Sequence, residues 1–141
     1  MQFEENLDIS NLKKAVASLR SGIDTYLLGI DDLTPAQNAL QAAGVIQNFE
    51  FTYELCWKFM KRWIEMNITK DAADGVTRRE LFRMAAENKL IEDVNLWMEL
   101  HKSRNETSHT YDENVAKRVL EASLGSLGII DDFLNRLEAR I

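Results

Sequence analysis

Apolar residues recur at steps of three and four along most of the chain. Ile9, Leu12, Val16, Leu19, Ile23, Tyr26 and Ile30 form one such series, which predicts an amphipathic helix over about residues 9–29. Gly29 and the Asp-Asp-Leu that follows mark its end. The next helix has a defined start. Thr34 suits the N-cap, Pro35 the first helical position, and Gln37 completes a capping box. Its stripe runs Ala39, Ala42, Ile46, Phe49, Tyr53, Cys56, Met60, Trp63 and carries the helix to about Asn67. A second apolar line, Phe51, Leu55 and Phe59, lies on another side. A helix that is apolar on two sides is central to its fold, or carries an interface as well as a core face.

"NITKDAADG" reads as a loop ending at Gly75. Thr77 with Glu80 then gives a second capping box, opening a short helix to about Asn88. The spacing predicts a fourth helix from Leu90, a break at Tyr111 and Asp112, and a fifth helix over about residues 113–139. That last helix is marked by Val115, Val119, Leu120, Leu124, Leu127, Ile130, Leu134 and Leu137. No internal repeat and no convincing strand pattern interrupts this. The expected fold is all-α: an antiparallel up-and-down bundle of about five helices in a single domain spanning residues 1–141.

Composition agrees with a globular chain: 141 residues, 45% hydrophobic and 28% charged, with one proline and six glycines, too few for a turn-rich sandwich. The net charge of −6 argues against a nonspecific nucleic-acid coat or a basic membrane-surface protein. A basic central stretch (Lys58, Lys61, Arg62, Lys70, Arg78, Arg79, Arg83) leaves room for a local anion site, though a solvated surface is the better reading of it. The lone Cys56 cannot form an internal disulfide and falls within an apolar pattern, as a buried structural thiol would. One cysteine and two histidines make a Cys/His metal site improbable, and neither a metal nor another cofactor is expected. The acidic start "MQFEENLDIS" does not resemble a signal peptide, and no apolar run is long enough to span a bilayer, so a cytoplasmic protein is expected. Asp31-Asp32 and Asp131-Asp132 are adjacent rather than alternating carboxylates and read as solvated turn or helix-surface groups; no Gly-Ser turn followed by D-x-D is present.

The fourth helix carries the candidate chemistry. At about 100° per residue, Leu90, Val94, Trp97 and Met98 share a stripe. Its continuation meets His101, Arg104, Asn105, Ser108 and His109. In a regular helix Arg104 and His109 lie about 140° apart and bracket that stripe. A core-facing line that turns polar implies an end of the bundle that opens into a cleft or faces a second subunit, because buried polar groups need partners. Arginine can hold a phosphate and stabilise developing charge, histidine can move a proton near neutral pH, and asparagine can orient either. RNA cleavage by the 2′-hydroxyl needs such groups and no metal. One histidine per chain is few for both proton roles, and a symmetric dimer would supply two. An inert helix end is the competing reading: Arg104 paired with a carboxylate and His109 packed on Trp97 or Tyr111. Glu50 and Glu54, one turn apart on the long helix, can pair with Arg104 across the bundle or with basic residues of a neighbouring chain. His101 and Ser108 are candidates for supporting positions around the site. Trp57, Trp63 and Trp97 read as core or interface rings.

The flanking residues sharpen this. "RNETSHTY" (residues 104–111) fits the R-x4-H-x-Y motif of the HEPN superfamily. "NFEFTYELCWKFMKRWIE" and "DVNLWMELHKSRNETSHTYDENVA" resemble the long second helix and the signature segment of its nucleotidyltransferase substrate-binding protein branch. The resemblance extends from about Leu12 to Leu137. It implies a helical bundle with a four-helix core, usually a homodimer, encoded beside a separate minimal nucleotidyltransferase (MNT). In many such pairs the helical protein is a metal-independent ribonuclease toxin and the transferase its antitoxin. The resemblance then makes Arg104 and His109 the catalytic pair, adds Asn105 to the active site, and makes Tyr111 the acceptor of AMP from the partner. It also admits an alternative in which the chain is a non-catalytic substrate-binding subunit of a nucleotidyltransferase complex.

Overall fold

The computed structural model describes residues 6–29 and 33–141. Residues 1–5, Ile30 of the first stripe and the Asp31-Asp32 pair lie outside the described residues. Among the described residues six α-helices follow one another: α1 (Ser10–Leu27), α2 (Pro35–Asn67), α3 (Arg78–Glu87), α4 (Val94–Glu106), α5 (Glu113–Gly125) and α6 (Leu127–Glu138). A short 3-10 turn, Thr107–His109, separates α4 from α5.

The start of α2 is set by its sequence. Thr34 accepts from the Gln37 backbone N–H while the Gln37 side chain accepts from the Thr34 N–H, with Pro35 at the first position. Thr77 likewise accepts from the Glu80 N–H at the head of α3, just after Gly75, whose φ of +67° suits glycine. Asp93 and Asp112 cap α4 and α5 through their carboxylates.

α1 runs antiparallel to α2. The Thr52 hydroxyl reaches the Ala15 carbonyl, while a turn and more further along α1 Gly22 faces Asn48 and Val45. A Cβ at Gly22 would stand 3.2 Å from the Asn48 amide, so the absence of a side chain lets the helices approach there. α6 lies antiparallel to α1, tied by Lys13–Glu138 and Arg20–Asp131 ion pairs. α4 returns along α2, with Tyr53 beside His101 and Glu54 beside Arg104. The core is aromatic at its centre: Trp97 of α4 packs between Phe82 of α3 and Phe133 of α6, with ring centroids 5.8 and 5.7 Å away. The α2 stripe is buried from Phe49 to Trp63, while Ala39 at its start is exposed. Cys56 is fully buried, and burial pushes its thiol pKa far up.

Three sequence expectations need correction. α4 begins at Val94, not Leu90. Leu90 and Ile91 are buried residues of the α3–α4 connection, and Asp93 starts the helix. The expected fifth helix is two helices, α5 and α6, meeting at Ser126. There the Ser126 hydroxyl donates to the Ser123 carbonyl and the Ser123 hydroxyl to that of Val119, local bonds by which serine side chains compete with a helical ladder. The last pair of acids is not merely solvated: Asp131 pairs with Arg20 and Asp132 with Arg136. Among the described residues no helix is long and apolar enough to cross a membrane.

Candidate active site

α4 continues in register as far as Glu106, so the stripe that starts at Trp97 in the core reaches α2 at His101 and Arg104. Trp97 is fully buried, His101 and Arg104 are half-buried, and Asn105 is exposed. Beyond Glu106 the backbone tightens into the 3-10 turn. The regular-helix angle between Arg104 and His109 therefore does not apply. His109 and Ser108 both stand exposed, the Ser108 hydroxyl donating to the Asn105 carbonyl at 3.4 Å.

Arg104 is held by two carboxylates. Its Nε donates to Glu54 Oε1 at 2.7 Å, and its Nη2 lies 3.3 Å from Glu50 Oε1. Across the bundle is thus where these glutamates pair. The Arg104 side chain keeps 29% of its exposure. Of the five guanidinium N–H groups, those of Nη1 have no partner among the described residues and remain for an anion. Glu54 is itself fixed by the Trp57 indole, whose Nε1–H donates to Oε2 at 2.9 Å. Arg78 stacks on the Trp57 ring with Cζ 3.6 Å from its centroid, and the Lys58 ammonium lies 5.7 Å from the same centroid. The structure thus brings two members of the basic stretch, Lys58 and Arg78, onto one ring beside the site. The other basic residues of that stretch, except the half-buried Lys61, are exposed.

Behind Arg104 lies a polar line. The buried Tyr53 hydroxyl is 2.7 Å from His101 Nδ1 and 3.5 Å from Arg78 Nη1, while His101 Nε2 is 3.4 Å from the Asn105 amide. Burial, with Arg78 and Arg104 close by, holds the His101 pKa below its ordinary value despite the nearby Glu54. Burial pushes the Tyr53 pKa far up, so this phenol is neutral. His109 meets the ring of Tyr111 edge-on at 6.0 Å, and Tyr111 is 84% exposed.

The structure therefore gathers Arg104, Asn105, His101, Glu50 and Glu54 into one contact network. Ser108, His109 and Tyr111 sit on the adjoining turn, with His109 turned to Tyr111. The carboxylate pairing of Arg104 and the His109–Tyr111 contact are also what an inert helix end would show. What separates the two readings is chemistry: a half-open guanidinium and an amide on the last turns of α4 are followed by an exposed imidazole on the adjoining 3-10 turn. Among the described residues no group of three or more His, Cys, Asp or Glu side chains is arranged to hold a metal ion. Sequence reasoning left Tyr53, Trp57 and Arg78 out of the site. A signal existed for the first two, since Glu50, Tyr53, Glu54 and Trp57 fall at steps of three, one and three, the spacing of a single helix face. Arg78 comes from another helix, and its membership of the basic stretch did not point to Trp57.

Fold and site together define an all-helical bundle whose long second helix clamps, through two glutamates, an arginine at the end of a neighbouring helix. The chain belongs to the family of nucleotidyltransferase substrate binding protein like sequences, whose family model matches residues 7–139. It is 40% identical over 93 residues to a probable ribonuclease HepT of Haemophilus influenzae. That match covers 65% of this chain and 59% of the relative, so the chain spans about three fifths of the length of this curated relative. Its fold is similar to that of HI0074 from Haemophilus influenzae, described as a substrate binding domain of a nucleotidyltransferase. The TM-score is 0.87 at 30% identity, covering 93% of this chain and 99% of that one. A protein from Thermus thermophilus shares the fold, with a TM-score of 0.70 at 24% identity over 89% of this chain and 98% of that one.

Proposed function

We propose that this chain is a ribonuclease toxin of the HEPN type, acting as a homodimer without a metal ion and paired with a separately encoded MNT-type nucleotidyltransferase that silences it by transferring AMP to Tyr111. The observation that carries the reading is Arg104, half-open and aimed by Glu54 and Glu50, on the same helix end as exposed Asn105 and His109. The relative named a probable ribonuclease supports it. In this reading the substrate's 2′-hydroxyl attacks the adjacent phosphorus, forming a 2′,3′-cyclic phosphate as the bond to the 5′-oxygen breaks. One His109 takes the hydroxyl proton and the His109 of a second copy gives a proton to the leaving oxygen. Arg104 stabilises the phosphorane charge and Asn105 holds a phosphate oxygen.

A dimer is supported by the second apolar line of α2. Phe51 is 60% exposed and, with Leu55, lines a shallow depression shared with Glu50 and Glu54. An interface through this line would lie directly beside the Arg104 clamp. The exposure of Tyr111 supports its role as acceptor: its hydroxyl attacks the α-phosphorus of ATP bound to the transferase, pyrophosphate leaves, and the attached AMP covers the site with bulk and negative charge. The purified chain should cleave RNA in the presence of a chelator, and His109→Ala should abolish cleavage. Unchanged cleavage by that variant would sink the assignment.

A second reading, a non-catalytic subunit that presents substrate to the transferase, is favoured by the carboxylate pairing of Arg104 and by the description of HI0074. Under it the chain cleaves no RNA. Intact mass after incubation with the transferase and ATP tests the Tyr111 assignment, which both readings can accommodate: an added AMP must disappear in Tyr111→Phe.

A further inference from the structure

Tyr53 has no exposed surface, so its phenolic proton needs an acceptor inside the protein. Its oxygen has two side-chain neighbours within hydrogen-bonding reach among the described residues. Arg78 Nη1 at 3.5 Å belongs to a guanidinium, which only donates. His101 Nδ1 at 2.7 Å is therefore the acceptor. A ring nitrogen accepts only when it carries no proton, so His101 is neutral and protonated on Nε2. The opposite tautomer would point Nδ1–H at the phenol and leave the buried hydroxyl proton without a partner.

The consequence passes to Asn105. His101 Nε2–H faces the Asn105 side-chain amide, whose Nδ2 stands 3.4 Å away. Two N–H groups cannot bond to each other, and a half-turn of the amide about Cβ–Cγ exchanges its nitrogen and oxygen at almost no cost in shape. The amide then accepts from Nε2–H through Oδ1 and turns its NH2 outward, on the exposed side of α4.

We infer that Tyr53 and Arg78, acting through the tautomer of His101, fix Asn105 as a hydrogen-bond donor toward the substrate phosphate. Tyr53, Arg78 and His101 are positioning residues. Arg78 occupies the acceptor side of the phenol so that its proton is committed to His101, and the tautomer commits the amide. This rests on the reading of Asn105 as a phosphate contact, but the tautomer can be measured without any substrate.

Long-range 1H–15N correlation spectra of histidine-labelled protein report which ring nitrogen is protonated. His101 should be the Nε2–H tautomer at neutral pH, and Tyr53→Phe should lose that preference while its circular dichroism is unchanged. An Nδ1–H ring in the unaltered chain, or the same tautomer in Tyr53→Phe, overturns the inference. In RNA cleavage, Tyr53→Phe should lower kcat about tenfold, the loss of one oriented hydrogen bond, with KM within about twofold. His101→Gln can still donate at the Nε2 position and should retain most of the rate. His101→Leu cannot, and should fall with Tyr53→Phe. Equal rates for the Gln and Leu variants overturn the inference, because a packing role would not tell them apart. If the unaltered chain cleaves no RNA, the ribonuclease reading fails and the tautomer alone decides how Asn105 is oriented.

Discussion

At the scale of single residues, Glu54 has a double duty: one carboxylate oxygen takes the Arg104 Nε–H and the other the Trp57 indole N–H. A guanidinium held through its Nε is fixed in rotation, which is what a bidentate anion site needs. His101 adds a pH dependence whose sign follows from its surroundings. Its folded pKa lies below the ordinary value because burial and neighbouring arginines disfavour the imidazolium. The unfolded chain therefore binds this proton at a higher pH than the folded one. The stabilisation from neutral His101 is complete above the unfolded value of about 6.5 and is lost as pH falls through the lower folded value. The urea midpoint of the unaltered chain should drop further between pH 7.5 and pH 5 than that of His101→Gln; parallel declines would show that His101 is not the group responsible. At this scale the sequence was informative where a residue acts alone or within its own helix. Arg104, Asn105, His109 and Tyr111 stand out because they fit a family motif within eight residues, their spacing alone being a weak signal. The links from Tyr53 to His101 and from Arg78 to Trp57 join different helices, and no local spacing encodes them.

At the scale of elements, a threonine cap with its partner three residues on marks a start that is read correctly from sequence; the start of α4 was misplaced although Asp93 caps it, and the start of α6 has no side-chain cap. Thr34 with Pro35 and Gln37, and Thr77 with Glu80, announce α2 and α3. The end of α3 is concealed. Leu90 N–H bonds to the Ala85 carbonyl and Lys89 N–H to that of Ala86, the pairing of a Schellman turn, with Lys89 at a φ of +61° where glycine is usual. Leu90 is then the apolar plug that closes the turn, fully buried, which is why its hydrophobicity imitated the start of α4. The same geometry makes a prediction. A lysine in the left-handed region carries a cost of about 1 kcal/mol that glycine avoids. Lys89→Gly should therefore stabilise the protein by roughly 0.5–1 kcal/mol, less any loss from a more flexible unfolded chain. Thermal unfolding should show a Tm raised by a few degrees; a lowered Tm would mean that the Lys89 side chain contributes more than its backbone costs. The split between α5 and α6 was hidden for a related reason: the apolar spacing runs on through Ser126, and only the serine hydroxyl bonds mark the junction.

At the scale of the whole molecule, α2 is what joins fold to site. One of its faces builds the core with α1, another carries Glu50, Tyr53, Glu54 and Trp57 against α4 and α3, and Phe51 is left outward. An exposed phenylalanine gains nothing for the isolated chain, so its replacement separates assembly from folding. Phe51→Ser should change the stability of a monomer by no more than about 0.5 kcal/mol, the usual range for a surface position. If two copies meet along the Phe51–Leu55 line, as the proposed dimer requires, that substitution removes an aromatic anchor from the interface, a loss of about 2 kcal/mol or more. The dissociation constant should rise at least about thirtyfold, measured by sedimentation equilibrium, and RNA cleavage should become dependent on protein concentration. A dimer of unchanged affinity would place the interface elsewhere and remove the reason for bringing two Arg104 clamps together through α2. A monomer that cleaves RNA at full rate would remove the need for a second His109, and the acid and the base would then have to be found within one chain.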